Sequence, residues 1–306
     1  MSSICKAVAI VAVGAVLALS RAEAQTKTFT GVGNWTDGAR WSPSPPVDGD
    51  DVIVDGVCTN TASTENLGSY TLNATRTHVF GGTNSFLRAT HVIISGIMTH
   101  LANTATTTNS EGQWIPDNLL NIVAVSNVTV GAGGQINADG KGYKSARGKG
   151  GYGPGGGKYT GVGGGGAGHG GRGAESRPDQ ITADGGLDYG ISNAPVEPGS
   201  GGANSAYNFG GGAVRIQAGN RVTVNGSISA NGSYYSEDSA AGASGGSIFI
   251  TCGAIDGAGL ISAKASDASG EALRAAAVAA VSPSSTPMRR CRRRWTRRFS
   301  SRQKAG

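Results

Sequence analysis

Short apolar runs alternate with polar or glycyl corners along most of this chain. Val52-Ile53-Val54, His91-Val92-Ile93-Ile94, Asn121-Ile122-Val123-Ala124-Val125 and Val128-Thr129-Val130 are three to five residues long and rich in β-branched side chains. Runs of that length and type fit pleated strands with one face buried. No window sustains a helical period with caps, so the pattern predicts an all-β chain. Val52-Ile53-Val54 predicts a short strand stopped by the turn pair Asp55-Gly56.

The runs recur as larger units. Gly211-Gly212-Ala213-Val214-Arg215-Ile216 is paralleled 34 residues later by Gly245-Gly246-Ser247-Ile248-Phe249-Ile250. Gly226-Ser227-Ile228-Ser229-Ala230 is paralleled 33 residues later by Gly259-Leu260-Ile261-Ser262-Ala263. An earlier copy, Val128-Thr129-Val130 then Gln135-Ile136-Asn137-Ala138, matches Val222-Thr223-Val224 then Ser227-Ile228-Ser229-Ala230. Each unit holds three short strands, with Gly and Asn at corners that often need positive φ. One unit cannot bury its own apolar face, whereas stacked coils can. The expected fold is therefore a parallel β-helix (β-solenoid), right-handed by the usual rule for parallel crossovers. A β-sandwich is the alternative; it explains the strands but not the recurring units.

Glycine changes the picture next: 52 of the 306 residues are Gly, and 24 of them lie between 131 and 190. Such a stretch loses much backbone entropy on ordering and has little apolar surface to offset it. It predicts a long Gly-rich loop insertion at about residues 141–210, lying on or projecting from the solenoid. Only close backbone packing could order it.

The ends carry different signals. Lys6, the apolar run Ala7 to Leu19 and the small-x-small site Ala22-Glu23-Ala24 predict a secretory signal cleaved after Ala24. The run is too short for a comfortable bilayer span, and no other apolar run of about 18 residues exists. The formal net charge is +6. Residues 271–306 alone hold ten Lys or Arg against one acid, Glu271, while residues 25–270 hold 14 basic and 18 acidic residues. The basic character belongs to the tail, so it gives no ground for nucleic-acid binding by the body. Glycine is absent from Glu271 to Ala305, where an Ala/Val run and then an Arg run appear. GGC glycine codons read out of frame become Ala or Arg codons, so a frame shift near residue 270 is expected. The DNA around codon 270 decides it. The domain reading is a signal at 1–24, an N-terminal cap region at 25–60, a solenoid at 61–270 and a basic non-native tail at 271–306, disordered or an isolated helix.

Candidate chemistry is sparse. Asp48, Asp50, Asp51 and Asp55 lack the spacing of a calcium loop and read as turn formers. Gly242-Ala243-Ser244-Gly245-Gly246 matches a nucleophile-elbow pattern, but every His lies upstream of Ser244 and no α/β context is visible. Gly151-Tyr152-Gly153-Pro154-Gly155-Gly156 matches a dinucleotide fingerprint without its βαβ unit. A polysaccharide-cleaving enzyme would draw on Asp184, Asp188, Glu237, Asp238 and Asp256, which no motif pairs. Cys58, Cys252 and Cys291 form no disulfide framework and no metal-ligand spacing. No cofactor is expected. Trp35, Trp41, Tyr143, Tyr152 and Tyr159 are the candidate ligand-contact residues, with a packing cap as the competing role for the two Trp.

The segments Ile136 to Tyr143, Gly163 to Gly173, Asp188-Tyr189-Gly190, Gly199 to Gly202, Gly210 to Ile216 and Ile228 to Gly232 together resemble the Gly-rich repeat regions of large exported bacterial surface proteins, of the adhesin or autotransporter-passenger type. Asn34-Trp35, Trp41, Pro46 and Gly49-Asp50-Asp51-Val52 are similar to the start of such passengers. The resemblance covers most of 30–270. It implies a β-helical rod with no catalytic residues, extracellular or at the cell surface, contacting extracellular glycans or other surface proteins. The expectation is a secreted structural or adhesive solenoid. Its alternatives are a polysaccharide-binding or -degrading β-helix and a polyanion binder acting through the Arg-rich tail.

Overall fold

The computed structural model describes residues 23–176, 181–191, 193–233 and 240–267. The segment expected to act as an export signal, as far as residue 22, the tail 271–306, Cys291, Glu237 and Asp238 lie outside the described residues.

The chain is all-β, and its fifteen strands form one sheet. In order they are β1 (Thr26–Asn34), β2 (Trp41–Ser42), β3 (Asp51–Asn60), β4 (Leu67–Leu72), β5 (Thr77–Phe80), β6 (Phe86–Ile94), β7 (Ile97–His100), β8 (Leu120–Val130), β9 (Gln135–Asn137), β10 (Ala213–Ala218), β11 (Arg221–Val224), β12 (Ser227–Ser229), β13 (Ser247–Thr251), β14 (Ala254–Asp256) and β15 (Leu260–Ser262). The one helical element among the described residues is a 3-10 turn at Gly38–Arg40. Every strand pairing is parallel except that of β2 on β1. A sandwich of two packed antiparallel sheets pairs its strands the other way. Here the parallel sheet curls round its own core, as in a solenoid.

The sequence repeats are the hydrogen-bonding registers. Val214 lies beside Ile248, and Ile228 beside Ile261. Val222 lies beside Val128, and Ile228 beside Ile136 on its other flank. Inward side chains therefore form columns. Leu72, Ile94, Val130 and Val224 make one; Leu87, Ile122, Ile216 and Ile250 make another. All eight are buried, and full burial of each stabilises by about 1.5–3 kcal/mol.

One expectation is corrected. Asp55-Gly56 is not a turn, because β3 runs straight through it to Asn60. Gly56 faces Gly31 in register, and a Cβ on Gly56 would strike the Gly31 carbonyl. The pair lets β1 and β3 approach closely while continuing as strands. The Asp cluster is likewise dispersed. Asp50 accepts the backbone N–H groups of Gln25 and Val47, Asp48 holds Asn66, Asp51 holds Ser69 and Asp55 holds Arg76.

The Gly-rich stretch holds no named strand and lies packed against the coils, backbone on backbone. Ala167, Ala183 and Ala203 within it are fully buried. Segment 199–203 exchanges backbone hydrogen bonds with Tyr143, Tyr152, Gly165, Asn208, Gly211, Ala241 and Ser244. A pleated strand has two lateral neighbours, whereas this segment bonds to several separate stretches of chain. Such crowding demands Gly. A methyl on Gly157, Gly165, Gly186 or Gly246 would overlap the carbonyl oxygen of Gly165, Asp184, Gly155 or Gly212 respectively. The second excursion, 240–246, joins the same packed slab, so the insertion and the coils share one interior.

This packing gives a direct test. Gly165→Ala and Gly246→Ala should each lower stability by about 3 kcal/mol, the upper part of the overpacking range. Gly38→Ala, whose nearest new neighbour is Pro45 at 3.6 Å, should stay within about 0.5 kcal/mol. Urea denaturation midpoints compare the three.

Candidate functional site

The side chains on the outer side of β6, β8 and β10 form a column. Phe86 lies beside Asn121, and Asn121 beside Arg215. Neighbouring strands sit about 4.8 Å apart, so the three form a short stripe across the ladder. A half-open cleft of about 430 Å³ covers this stripe. Trp114, Ile115 and Pro116 of one loop and Val196 and Glu197 of another line it.

Each wall is held by buried polar groups. Asn103 Nδ2 donates to the carbonyls of Asn118 (3.1 Å) and Lys141 (2.9 Å). Its Oδ1 accepts the N–H groups of Asp117 (2.6 Å) and Asn118 (3.0 Å). Asn118 Nδ2 donates to the Ala102 carbonyl, and its Oδ1 accepts the Gly82 N–H at 2.7 Å. The two Asn residues thus close the base of the loop that carries Trp114. The indole then packs edge-on against Tyr143, with ring centroids 5.4 Å apart, and tilted against Tyr152 at 6.4 Å. On the other wall, Ser247 Oγ donates to the Glu197 carbonyl at 2.6 Å and Tyr189 OH to the Pro198 carbonyl at 2.6 Å. Glu197 Oε2 accepts the Val196 N–H at 3.1 Å.

Charge in the cleft is uneven. Arg215 has its Nε buried with no hydrogen-bond partner. Arg88 lies over the Phe86 ring, 4.7 Å from its centroid, a cation–π contact. Trp114, Phe86, Arg215 and Asn121 thus line the cleft together, an aromatic, cationic and amide set suited to something small and polar.

The predicted contact residues are distributed differently. Trp35 and Trp41 are buried in the core, not displayed. Their rings meet edge-on at 4.8 Å, and Trp41 Nε1 donates to the Trp35 carbonyl at 2.7 Å. Their large apolar faces cover the Phe29 end of the coil interior, which corrects the contact reading in favour of a packing cap. Tyr143 is also buried and serves as the support behind Trp114. Tyr152 is half-buried beside it, and Tyr159, whose hydroxyl donates to the Gly161 carbonyl, does not line the cleft. Trp114, Phe86 and Arg215 went unnoticed in the sequence. The available signal was a lone Trp in the polar stretch 102–119.

Of the candidate carboxylates, Asp184 pairs with Lys158 at 3.4 Å, Asp256 pairs with Arg221, and Asp188 is exposed. None of these three lines the cleft. Among the described residues, no three His, Cys, Asp or Glu side chains group as metal ligands do. Ser244, at the elbow-like motif, is fully buried and accepts the Ser200 N–H at 2.8 Å. His169 Nδ1 lies 2.9 Å from the Gly245 carbonyl, and that partner makes Nδ1 the protonated nitrogen. Its Nε2 is 3.5 Å from Ser247 Oγ, whose proton goes to the Glu197 carbonyl.

His78 and His100 are structural as well. His78 shares a 2.6 Å hydrogen bond with the Tyr70 hydroxyl and stacks between Trp35 and Phe80. His100 Nδ1 donates to the Leu101 carbonyl at 2.7 Å, and its Nε2 accepts the Ala213 N–H at 3.2 Å. That last bond ties β7 to the first residue after the insertion. Burial pushes His78 down to about 3 and His100 down to about 4, and holds His169 below the usual imidazole range.

A scan against protein-family models finds no match to this chain, and searches of curated proteins and of solved structures find none either.

Two predictions follow from the geometry. The histidines are neutral when folded and titrate near 6.5 when unfolded. Their stabilisation is complete above pH 6.5 and is lost as pH falls towards 4, by about 1.4 kcal/mol per pH unit for each of His78 and His100. Urea titrations between pH 7 and 4 should show this slope, and His100→Gln should flatten it. Separately, Asn103→Ala leaves several buried backbone groups without partners and should cost about 2–4 kcal/mol, read as a lowered denaturation midpoint.

Proposed function

We propose that the chain is a secreted, non-catalytic structural or adhesive protein, built as a right-handed parallel β-helix that displays the Trp114 cleft. The in-register parallel ladders support the coil, and the rule that parallel crossovers are right-handed supplies the hand. The basic start, apolar run and Ala22-Glu23-Ala24 site support export. Among the described residues no helix is long and apolar enough to cross a membrane.

One observation carries the non-catalytic reading. His78, His100, His169, Ser244 and Ser247 are buried and held by structural hydrogen bonds, and the exposed His91 and Asp188 do not line the cleft. A general base must reach its substrate's proton, and the buried groups reach only the protein itself. The cleft, by contrast, is open, aromatic and preorganised, which suits binding.

The test pairs two assays on the full secreted chain. Incubation with a panel of polysaccharides should release no new reducing ends, and turnover of any of them overturns the non-catalytic reading. Beads carrying the protein should be retained on polysaccharide-coated surfaces at least severalfold above bare beads. Equal retention overturns the adhesive one.

A further inference from the structure

We infer that the cleft over β6, β8 and β10 is a binding site for uronic-acid-bearing oligosaccharides, with Arg215 taking the carboxylate. The inference rests on the adhesive reading above and names its ligand class. Arg215 is the first ground. A guanidinium carries five donors in a planar fork and cannot shed its charge, so a buried Nε without an acceptor is costly. No described residue supplies that acceptor. A carboxylate presented in the cleft would pair with the terminal Nη groups of such a fork.

The rest of the lining narrows the ligand. A bare anion such as phosphate would use Arg215 but would be repelled by Glu197, which lines the same cleft. A sugar acid suits the cleft better: its carboxylate pairs with Arg215, and its hydroxyls meet the polar residues at the margin. The side chains of Thr83, Asn84 and Asn121 add polar groups at the margin, and Trp114 supplies an apolar face for the C–H side of a pyranose ring. The Trp114 wall is already fixed by Asn103 and Asn118, so little ordering cost falls on binding.

Isothermal titration of the full chain with oligogalacturonate, oligoglucuronate and alginate oligomers tests this. At least one should bind, while the matched neutral oligosaccharides and inorganic phosphate should bind at least about tenfold more weakly, a difference of 1.4 kcal/mol. Arg215→Gln should weaken the uronate about tenfold or more, Arg215→Lys should recover part of that loss, and Trp114→Ala should weaken uronate and neutral sugars alike. Unchanged melting temperatures show that the variants are folded. Absence of binding by all three uronates, equal affinity for phosphate or neutral sugars, or an Arg215→Gln protein that binds as the parent does would overturn the inference. Bead retention that survives Arg215→Gln would sink the cleft assignment and leave the adhesive reading standing; loss of all retention by the parent would sink the adhesive reading itself.

Discussion

Everything in this molecule depends on parallel strands of successive coils bonding in register. A coil of three short strands has an apolar interior only one residue deep, and its backbone edges are open on both sides. The next coil supplies both the apolar neighbour and the hydrogen-bond partners. Coil length is almost free under this rule. Val54, Leu72, Ile94, Val130 and Val224 stand in one column although the intervals between them run from 18 to 94 residues. Loop closure entropy rises only logarithmically with length, so the longest excursion is tolerated if the register resumes. It resumes at Ala213, where the N–H reaches His100 across the excursion.

Glycine gives the fold a second kind of interior. In the coils, side chains fill the core. In the slab formed by residues from about 142 to 212 and 240 to 246, backbone packs directly on backbone, and the absent Cβ atoms are what make room. Each hydrogen bond there nets only about 1 kcal/mol, against a high entropic cost for ordering Gly. The slab therefore needs many bonds made together, and it makes them in several directions from one segment. The same bonds set one wall of the cleft, because Ser247 and Tyr189 anchor the chain on either side of Glu197.

Polar side chains inside this protein act mainly as fasteners. Asn103 and Asn118 close a loop, His100 joins two coils, and Ser200 and Ser244 stitch slab segments. Arg215 stands apart from them. It occupies an outward position of β10, beside Asn121, and nothing described satisfies its Nε. Asn60, His78, Ser145 and Ser176 also keep a buried polar atom without a partner, and of these five Arg215 is the one that lines the cleft.

Local pattern and repetition were enough to determine the all-β character, the parallel stacking and the registers of β10 on β13, β12 on β15, β11 on β8 and β12 on β9. An aliphatic triplet that recurs with its Gly corners can bury itself only against its own copy. The packing role of Trp35 and Trp41 and the need for close backbone approach in the Gly-rich stretch were also readable, since both follow from residue type. The cleft was not. Phe86, Asn121 and Arg215 come from three separate coils, and only the lengths of the intervening excursions bring them side by side. Trp114 faces them because an Asn pair folds its loop back. Asp55-Gly56 became continuous strand because Gly31 lies opposite, a partner 25 residues away. Tertiary structure decided these points because each depends on which distant backbone comes to lie alongside, and no local propensity encodes that.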